Sequence, residues 1–166
     1  MGEEGLGEEL SGLGHEISPP EEAEVVAVGM DRNLTYDKLD KALSGLLNGA
    51  EFFATNADKT FPTQEGESPG AGASVGAIKG MGFEPERIVG KPSEVAGEIA
   101  MEVAGIEDPE KCLIIGDRLE TDILLAERVG MDSALVFTGV ESEESLAASE
   151  VEPSFVFEDL RDLVSG

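Results

Sequence analysis

The sequence has no tryptophan, one tyrosine and seven phenylalanines, so aromatic side chains make up only 5% of its 166 residues. Hydrophobic residues as a whole account for 40%, and the core must therefore be built mainly from Val, Ile, Leu and Ala. A chain of this length buries most of the surface that its unfolded form exposes, which suffices for one domain or two small lobes. We expect a packed globular fold and not a disordered chain.

Sequence features of export and membrane insertion are also lacking. Cys112 is the one cysteine, so the chain cannot form an intramolecular disulfide. Residues 1–10 carry neither the basic region nor the apolar run of a signal peptide. No stretch approaches the roughly 18 consecutive apolar residues that a transmembrane helix needs. These absences predict a cytoplasmic protein without a membrane-spanning segment.

Basic residues are scarce: the sequence has 11 Lys and Arg against 36 Asp and Glu, which gives a net charge of −25. This balance disfavours nucleic-acid backbones and anionic membranes, and we expect neither as a partner. The acidic residues are spread along the chain, which indicates a solvated acidic surface and not one acidic tail. At molar salt the Debye length falls to about 3 Å, so dissolved ions screen the repulsion between these acidic side chains. We therefore favour a halophilic protein over a strongly acidic mesophilic one.

Short apolar runs alternate with segments of helical period along the chain. The predicted strands are 25–29, 52–55, 87–89, 112–115, 134–137 and 155–157, and the predicted helices are 36–47, 74–81, 93–104, 121–129 and 159–164. Residues 56–73 are rich in Asn, Asp, Pro, Gly and Ser and predict mostly loop. Strands separated by helices need crossover connections, so the pattern predicts a parallel sheet covered on both faces. A Gly and a Pro within residues 82–85 mark a boundary between two lobes.

The segment CLIIGDRLETD, from Cys112 to Asp122, has the strongest chemical signal. An apolar strand runs into Asp117, and Asp122 follows where the next helix begins. The carboxyl ends of strands form the ligand crevice of an open parallel sheet, so both carboxylates can face one site. Mg²⁺ favours a few carboxylate oxygens together with waters and substrate phosphate. The alternative is structural, with Asp117 as a turn residue and Asp122 favoured by the helix dipole.

A second signal is the segment IVGKPS, in which a strand leads to Gly90, Lys91 and a proline suited to the first helical turn. The 26 positions from Lys91 to Asp117 leave room for one helical crossover. We therefore expect the two residues to end adjacent parallel strands at one sheet edge. A lysine there can neutralise a phosphate or orient a carboxylate. The alternative is a surface lysine in a strand-to-helix turn.

These segments resemble motifs III and IV of the haloacid dehalogenase superfamily, in the order GKP, a helix, GDRLETDI and a strand ending in LVFTGV. They are most similar to its NagD-like branch, class IIA, of sugar-phosphate and 4-nitrophenyl phosphatases. The segments VVAVGMDRNLTYDKL, FFATNADKTFPTQEG and SPGAGASVGAI resemble the cap of the same branch. The resemblance implies an α/β fold, with an α/β class II cap lobe at 1–84 before the carboxy-terminal half of a Rossmann-like parallel-sheet core at 85–166.

The resemblance also implies a role for each matching residue. Asp117 would be a direct ligand of Mg²⁺, and Asp122 would hold a metal-bound water or the Asp117 region. Lys91 would stabilise the nucleophile and the transferred phosphoryl group. Asn56 and Asp58, in the segment TNAD, would lie near the interface of cap and core as substrate contacts or as loop caps, and we favour loop capping. The implied reaction is Mg²⁺-dependent hydrolysis of a small phosphorylated metabolite through an aspartyl-phosphate.

The family's aspartate nucleophile, which belongs to a DxDG motif upstream of the cap, is missing from the sequence. The most similar segment contains Asp31, but it has Asn33 where the acid/base should be and matches the cap pattern GMDRNLTY. We therefore reject Asp31 as the nucleophile. Without that aspartate no covalent intermediate forms. We expect an amino-terminally truncated phosphatase that is inactive by itself.

Other functional interpretations remain open. The chain is alternatively a non-catalytic binding module, or one subunit of a split phosphatase that a second chain completes. Loss of the central core strand would leave a sheet edge and apolar faces uncovered, so we expect either a homodimer or a complementary chain. A receiver or nucleotide-binding domain has less support, because the glycine-rich loop after the first strand is absent and Asp31 lacks an acidic pocket.

Overall fold

A computed structural model describes residues 1–164 of the chain. Contacts within these residues divide the chain into two compact units, Met1–Gly90 and a second unit that begins at Lys91. Each unit contains a parallel β-sheet with helices packed against it. The architecture is therefore mixed α/β with parallel sheets, which confirms the predicted fold class. None of the helices in residues 1–164 is long and apolar enough to cross a membrane.

The first unit is built around the parallel sheet β1-β2-β5. Its elements are α1 (Glu4–Gly12), β1 (Val25–Val28), α2 (Tyr36–Leu47), β2 (Glu51–Ala54), β3 (Thr60–Thr63), β4 (Gly66–Pro69), α3 (Ala71–Lys79) and β5 (Arg87–Ile88). The helix α2 begins after Thr35, whose hydroxyl accepts a hydrogen bond from the backbone N–H of Lys38 and caps the helix. Val28, Phe52 and Ile78 are at most 1% exposed and form the centre of the core.

The strands β3 and β4 form an antiparallel hairpin, so the prediction of loop is wrong for this part of residues 56–73. Thr60 pairs with Pro69 and Thr63 with Gly66. Gly66 has a φ of +125°, which glycine adopts without steric strain. The prolines in these segments argue against strands in the sequence. A two-stranded hairpin tolerates them because each strand lies at an edge.

The second unit is built around the parallel sheet β6-β7-β8. Its elements are α4 (Glu94–Ala104), β6 (Leu113–Gly116), α5 (Leu124–Val129), β7 (Asp132–Val136), α6 (Glu143–Ala147), β8 (Phe155–Phe157) and α7 (Leu160–Val164). A π-helical turn, Leu119–Ile123, leads directly into α5. Leu119, Ile123 and Leu135 are at most 3% exposed and form the core on one face of the sheet.

The expected pairing of the strand before Lys91 with the strand before Asp117 is wrong. β5 pairs with β2 in the first unit, where Phe53 lies opposite Arg87, and β6 pairs with β7 in the second. Hydrogen bonds from Val89 N to Ala54 O and from Gly90 N to Thr55 O, of 2.9 and 2.6 Å, continue the β2 ladder beyond β5. The short β5 is thus bound to the sheet formed by the preceding part of the chain. The assignment of 1–84 as cap and 85–166 as core half stays a prediction.

Candidate functional site

Lys91 and Asp122 form an ion pair in the second unit. The ammonium nitrogen of Lys91 lies 2.5 Å from Oδ1 of Asp122. The Asp122 side chain is 7% exposed, whereas that of Lys91 is 54% exposed. Ser93 caps α4 by accepting from the N–H of Val95, and Pro92 therefore precedes the cap residue and does not occupy the first helical turn as expected. The pair places a cation and a buried carboxylate together.

The π-helical turn determines where Asp122 lies. The backbone N–H groups of Asp122 and Ile123 both donate to the carbonyl of Arg118, at 3.0 and 3.2 Å. A Cβ atom built on Gly116 would overlap the Asp122 side chain. Because Gly116 ends β6, its lack of a side chain lets the Asp122 carboxylate pack against the carboxyl end of that strand. Turns of this π type occur frequently at functional sites.

Asp117 follows Gly116 directly and is covered by the loop after β7. Its Oδ2 accepts a hydrogen bond of 3.3 Å from the backbone N–H of Val140. A Cβ atom built on Gly139 would overlap this same carboxylate. β6 and β7 are parallel neighbours, so the loops at their carboxyl ends meet at one sheet edge. Asp117 and Asp122 therefore both lie at the carboxyl end of β6.

Glu141 is a residue of this site that the sequence reasoning missed. Its Oε1 accepts from the backbone N–H of Leu119 at 3.2 Å, and its Oε2 accepts from the hydroxyl of Ser145 at 2.6 Å. Leu119 is the first residue of the π-helical turn that carries Asp122. The signal available in the sequence was the position of Glu141 in the loop after a strand predicted to follow the Asp117 strand in the same sheet.

The carboxylates at the end of β6 fit part of a Mg²⁺ ligand set. Among residues 1–164, no group of three or more His, Cys, Asp or Glu side chains is arranged to hold a metal ion together. Mg²⁺ usually takes only one or two protein carboxylates and completes its octahedron with water and phosphate oxygens. Asp117 and Asp122 meet this smaller requirement. They do not form an all-protein metal cage, and the predicted roles of these residues stay predictions.

Asn56 and Asp58 lie in the first unit, in the loop after β2. The amide nitrogen of Asn56 donates to Oδ2 of Asp58 at 2.6 Å, and Thr55 Oγ1 donates to Asn56 Oδ1 at 3.0 Å. Backbone atoms of the loop are also engaged, since Gly72 N donates to Asp58 O at 2.9 Å. These side chains bond to one another within the loop, which favours loop capping over a substrate contact.

Asp31 is held in a structural ion pair in the first unit. Its side chain is fully buried, with Oδ2 accepting from the ammonium of Lys38 at 2.6 Å. Its Oδ1 accepts from the backbone N–H of Asn33 at 3.0 Å. Both carboxylate oxygens are engaged, which agrees with the rejection of Asp31 as a nucleophile.

Comparison with known proteins identifies the family of the chain. Residues 88–163 match the model of the HAD-hydrolase-like family. The acid sugar phosphatase of Staphylococcus epidermidis is 34% identical over 161 residues, which cover 96% of this chain and 61% of the relative. That of Staphylococcus aureus is 34% identical over 166 residues, which cover 99% and 63%. The chain therefore spans less than two thirds of the length of these curated relatives.

Solved structures give the same result. The p-nitrophenyl phosphatase from Archaeoglobus fulgidus matches with a TM-score of 0.91 and 38% identity over 99% of this chain and 65% of its own. The 4-nitrophenylphosphatase from Thermotoga maritima matches with a TM-score of 0.88 and 36% identity, covering 97% and 61%. A glycerol phosphate phosphatase from Mycobacterium tuberculosis, in complex with magnesium, has a TM-score of 0.88 and 32% identity, covering 98% and 50%.

The parallel α/β units and these matches place the chain in the haloacid dehalogenase superfamily. The similarity to acid sugar and p-nitrophenyl phosphatases extends over almost the whole chain. Within the superfamily it is a member of the NagD-like class IIA branch.

Proposed function

We propose that this chain provides the metal-binding carboxylates and the phosphate-facing lysine of a Mg²⁺-dependent phosphatase that acts on a small phosphomonoester. The observation that carries the proposal is the convergence of Asp117, Asp122 and Lys91 at the carboxyl end of β6. The relatives named as acid sugar, p-nitrophenyl and glycerol phosphate phosphatases support the reaction class.

Each of the three side chains would have a separate task. Asp117 would bind Mg²⁺ directly, and Asp122 would hold a metal-bound water or fix the Asp117 loop. Bound Mg²⁺ would neutralise the charge on the phosphoryl oxygens. Lys91 is half exposed, so its ammonium can contact a phosphate oxygen while Asp122 orients it. Phosphoryl transfer depends mainly on such positioning and charge stabilisation.

The proposal requires an aspartate nucleophile that the 166 residues do not provide, because they contain no DxDG segment. The chain by itself would then hydrolyse no 4-nitrophenyl phosphate. A fusion would supply the missing group: a segment that carries a DxDG motif, joined before Met1. We expect Mg²⁺-dependent hydrolysis from the fusion and none from the 166-residue protein.

Substitutions in the fusion test the proposed metal site. Asp117→Asn should lower kcat at least about a hundredfold, because a metal ligand supplies several kcal/mol of transition-state stabilisation. Asp132→Asn is the matched control, since Asp132 is exposed at the opposite end of the neighbouring strand. Equal activity of the two variants would contradict the site. Activity of the unfused chain that Asp117→Asn removes would contradict the need for an external nucleophile.

A second candidate, one subunit of a split phosphatase, is favoured by the exposure of β6. Leu113 and Ile115 lie on one face of this strand, and each is 41% exposed. Within residues 1–164, β6 has a ladder to β7 on one side only. A separate chain with the nucleophile could add there. Hydrolysis restored by mixing the two polypeptides, together with a 1:1 complex in light scattering, would distinguish this candidate from a homodimer or a simple binding module.

The proposed setting is a salt-rich cytoplasm, and the proposed partner is a small phosphorylated metabolite. The net charge of −25 supports a salt-rich setting, because dissolved ions would screen the repulsion between acidic side chains. The same charge disfavours nucleic acid and anionic membranes as partners. Assays of the fusion with sugar phosphates, glycerol phosphate and 4-nitrophenyl phosphate at rising KCl concentrations test both points.

A further inference from the structure

Two hydrogen bonds of opposite direction join the loop after β6 to the loop after β7. The backbone N–H of Val140 donates to Asp117 Oδ2 at 3.3 Å, and Glu141 Oε1 accepts from the N–H of Leu119 at 3.2 Å. The loop after β7 thus donates a hydrogen bond to Asp117, a proposed Mg²⁺ ligand. The same loop accepts a hydrogen bond from Leu119, the first residue of the π-helical turn that carries Asp122.

Glu141 takes the place of a local helix cap. Arg118 is the cap residue of the π-helical turn, and its side chain makes no capping hydrogen bond. The first N–H groups of a helix have no acceptor within the helix and need one from elsewhere. Glu141 supplies such an acceptor from 22 residues away in the sequence.

The Glu141 carboxylate is itself held in place. Ser145 Oγ donates to its Oε2 at 2.6 Å, and Ser145 is tied to Ser142 by reciprocal hydrogen bonds of a capping box at the start of α6. Leu146, the next residue, packs against the core that contains Leu119. The position of the carboxylate is therefore fixed by α6 and not only by its own loop.

We infer that Glu141 is a positioning residue for the metal site, which acts by holding the Asp117 loop and the Asp122 turn in one arrangement. This inference rests on the proposed function and adds to it a residue that does not touch metal or substrate. Partners that orient metal ligands commonly change metal affinity 10- to 100-fold when they are removed. The effect should depend on the hydrogen-bond acceptor of Glu141 and not on its charge.

The test measures Mn²⁺ binding to the 166-residue protein by paramagnetic broadening of backbone amide signals, with Mg²⁺ as competitor. In the wild type, the Asp117 and Asp122 amides should broaden first. Glu141→Ala should weaken the apparent Mn²⁺ affinity about tenfold or more. It should also speed hydrogen exchange of the Leu119 amide, which loses its acceptor. Glu141→Gln keeps an acceptor and should remain within about twofold of the wild type.

Glu144→Ala is the matched control, because Glu144 is exposed in α6 and its loss removes the same charge. It should bind Mn²⁺ like the wild type, and amide spectra verify that each variant is folded. If Glu141→Ala binds Mn²⁺ with wild-type affinity, this inference is overturned and the proposed metal site is not. The same holds if Glu141→Gln loses as much affinity as Glu141→Ala, because the effect would then be due to charge. A wild type in which Mn²⁺ leaves the Asp117 and Asp122 amides sharp overturns the proposed metal site and this inference with it.

Discussion

The ammonium of Lys91 lies 2.5 Å from Oδ1 of Asp122, although the residues are 31 positions apart in the sequence. The carboxylate is almost buried, and a buried charge without a partner is strongly disfavoured. Lys91 therefore neutralises a charge that the second unit has taken out of water. The same contact orients the ammonium that the proposed reaction requires.

The first prediction is that Lys91 and Asp122 are energetically coupled. Lys91→Met should lower the free energy of unfolding by about 1–2 kcal/mol, because it leaves the Asp122 carboxylate unpaired. In an Asp122→Asn background the same change should cost less than about 0.5 kcal/mol. Urea unfolding of the four proteins measures the difference. Lys111→Met is the control, since the Lys111–Asp108 pair is exposed and contributes little. Additive effects of the two site substitutions would refute the coupling.

The second prediction is that Gly139→Ala displaces Asp117. The new Cβ atom would overlap the Asp117 carboxylate, so the loop or the side chain must move. We expect a loss of stability of about 1–3 kcal/mol and a loss of divalent-metal binding, measured by unfolding and by Mn²⁺ broadening. Gly76→Ala is the control, because it adds the same methyl group in α3 where no neighbour lies within 4 Å. That variant should be as stable as the wild type or more stable. Unchanged metal binding in Gly139→Ala would argue against close packing on Asp117.

The third prediction concerns the acid titration of Glu3. Hydrogen bonds from the Arg32 side chain, with N–O distances of 2.5 and 2.8 Å, lower the pKa of Glu3 from 4.5 to about 2. Because the folded-state pKa is depressed, the stabilisation is complete above pH 4.5 and is lost as the pH falls towards 2. Carboxyl NMR titration should give a midpoint near 2 in the wild type. In Arg32→Gln the midpoint should rise towards 4.5, and equal midpoints would contradict the ion pair.

The fourth prediction is that salt stabilises the fold. The net charge of −25 produces self-repulsion that ions screen over about 3 Å at 1 M ionic strength. Raising KCl from about 0.1 to 2 M should increase Tm by about 4 °C or more. A variant in which exposed Glu4, Glu8 and Glu9 become Gln should show a smaller increase. An equal rise in both proteins would indicate a general effect of salt on burial and not charge screening.

The sequence predicts the alternation of strands and helices well where apolar periods are strong. The helix α2 has the predicted bounds, and β8 does as well. The hairpin is missed because Pro62 and Pro69 interrupt its strands, and α6 because five residues carry too little periodicity. The sheet to which β5 belongs could not be predicted, because crossover length does not determine which strand is the neighbour.

The site is predicted in its residue types and only partly in its contacts. Lys91 and Asp122 form an ion pair, although β5, the strand before Lys91, pairs with β2 and not with β6. The role of Glu141 could not be read from spacing, since it depends on two loops meeting at a sheet edge. The tight packing at Gly116 and Gly139 could not be predicted either, because the sequence does not show which neighbouring atoms lie where a glycine has no side chain.

The π-helical turn at Leu119–Ile123 constrains the number of residues in this segment more than it constrains their identity. Glu120 points to solvent, so many residue types can substitute there. Deleting one residue would instead convert the π-helical turn into an α-helical one and shift the carboxylate of Asp122 relative to Gly116. Natural variation in this segment should therefore consist of substitutions, and engineered insertions or deletions within it should displace the Asp122 carboxylate from Gly116 while leaving α5 helical.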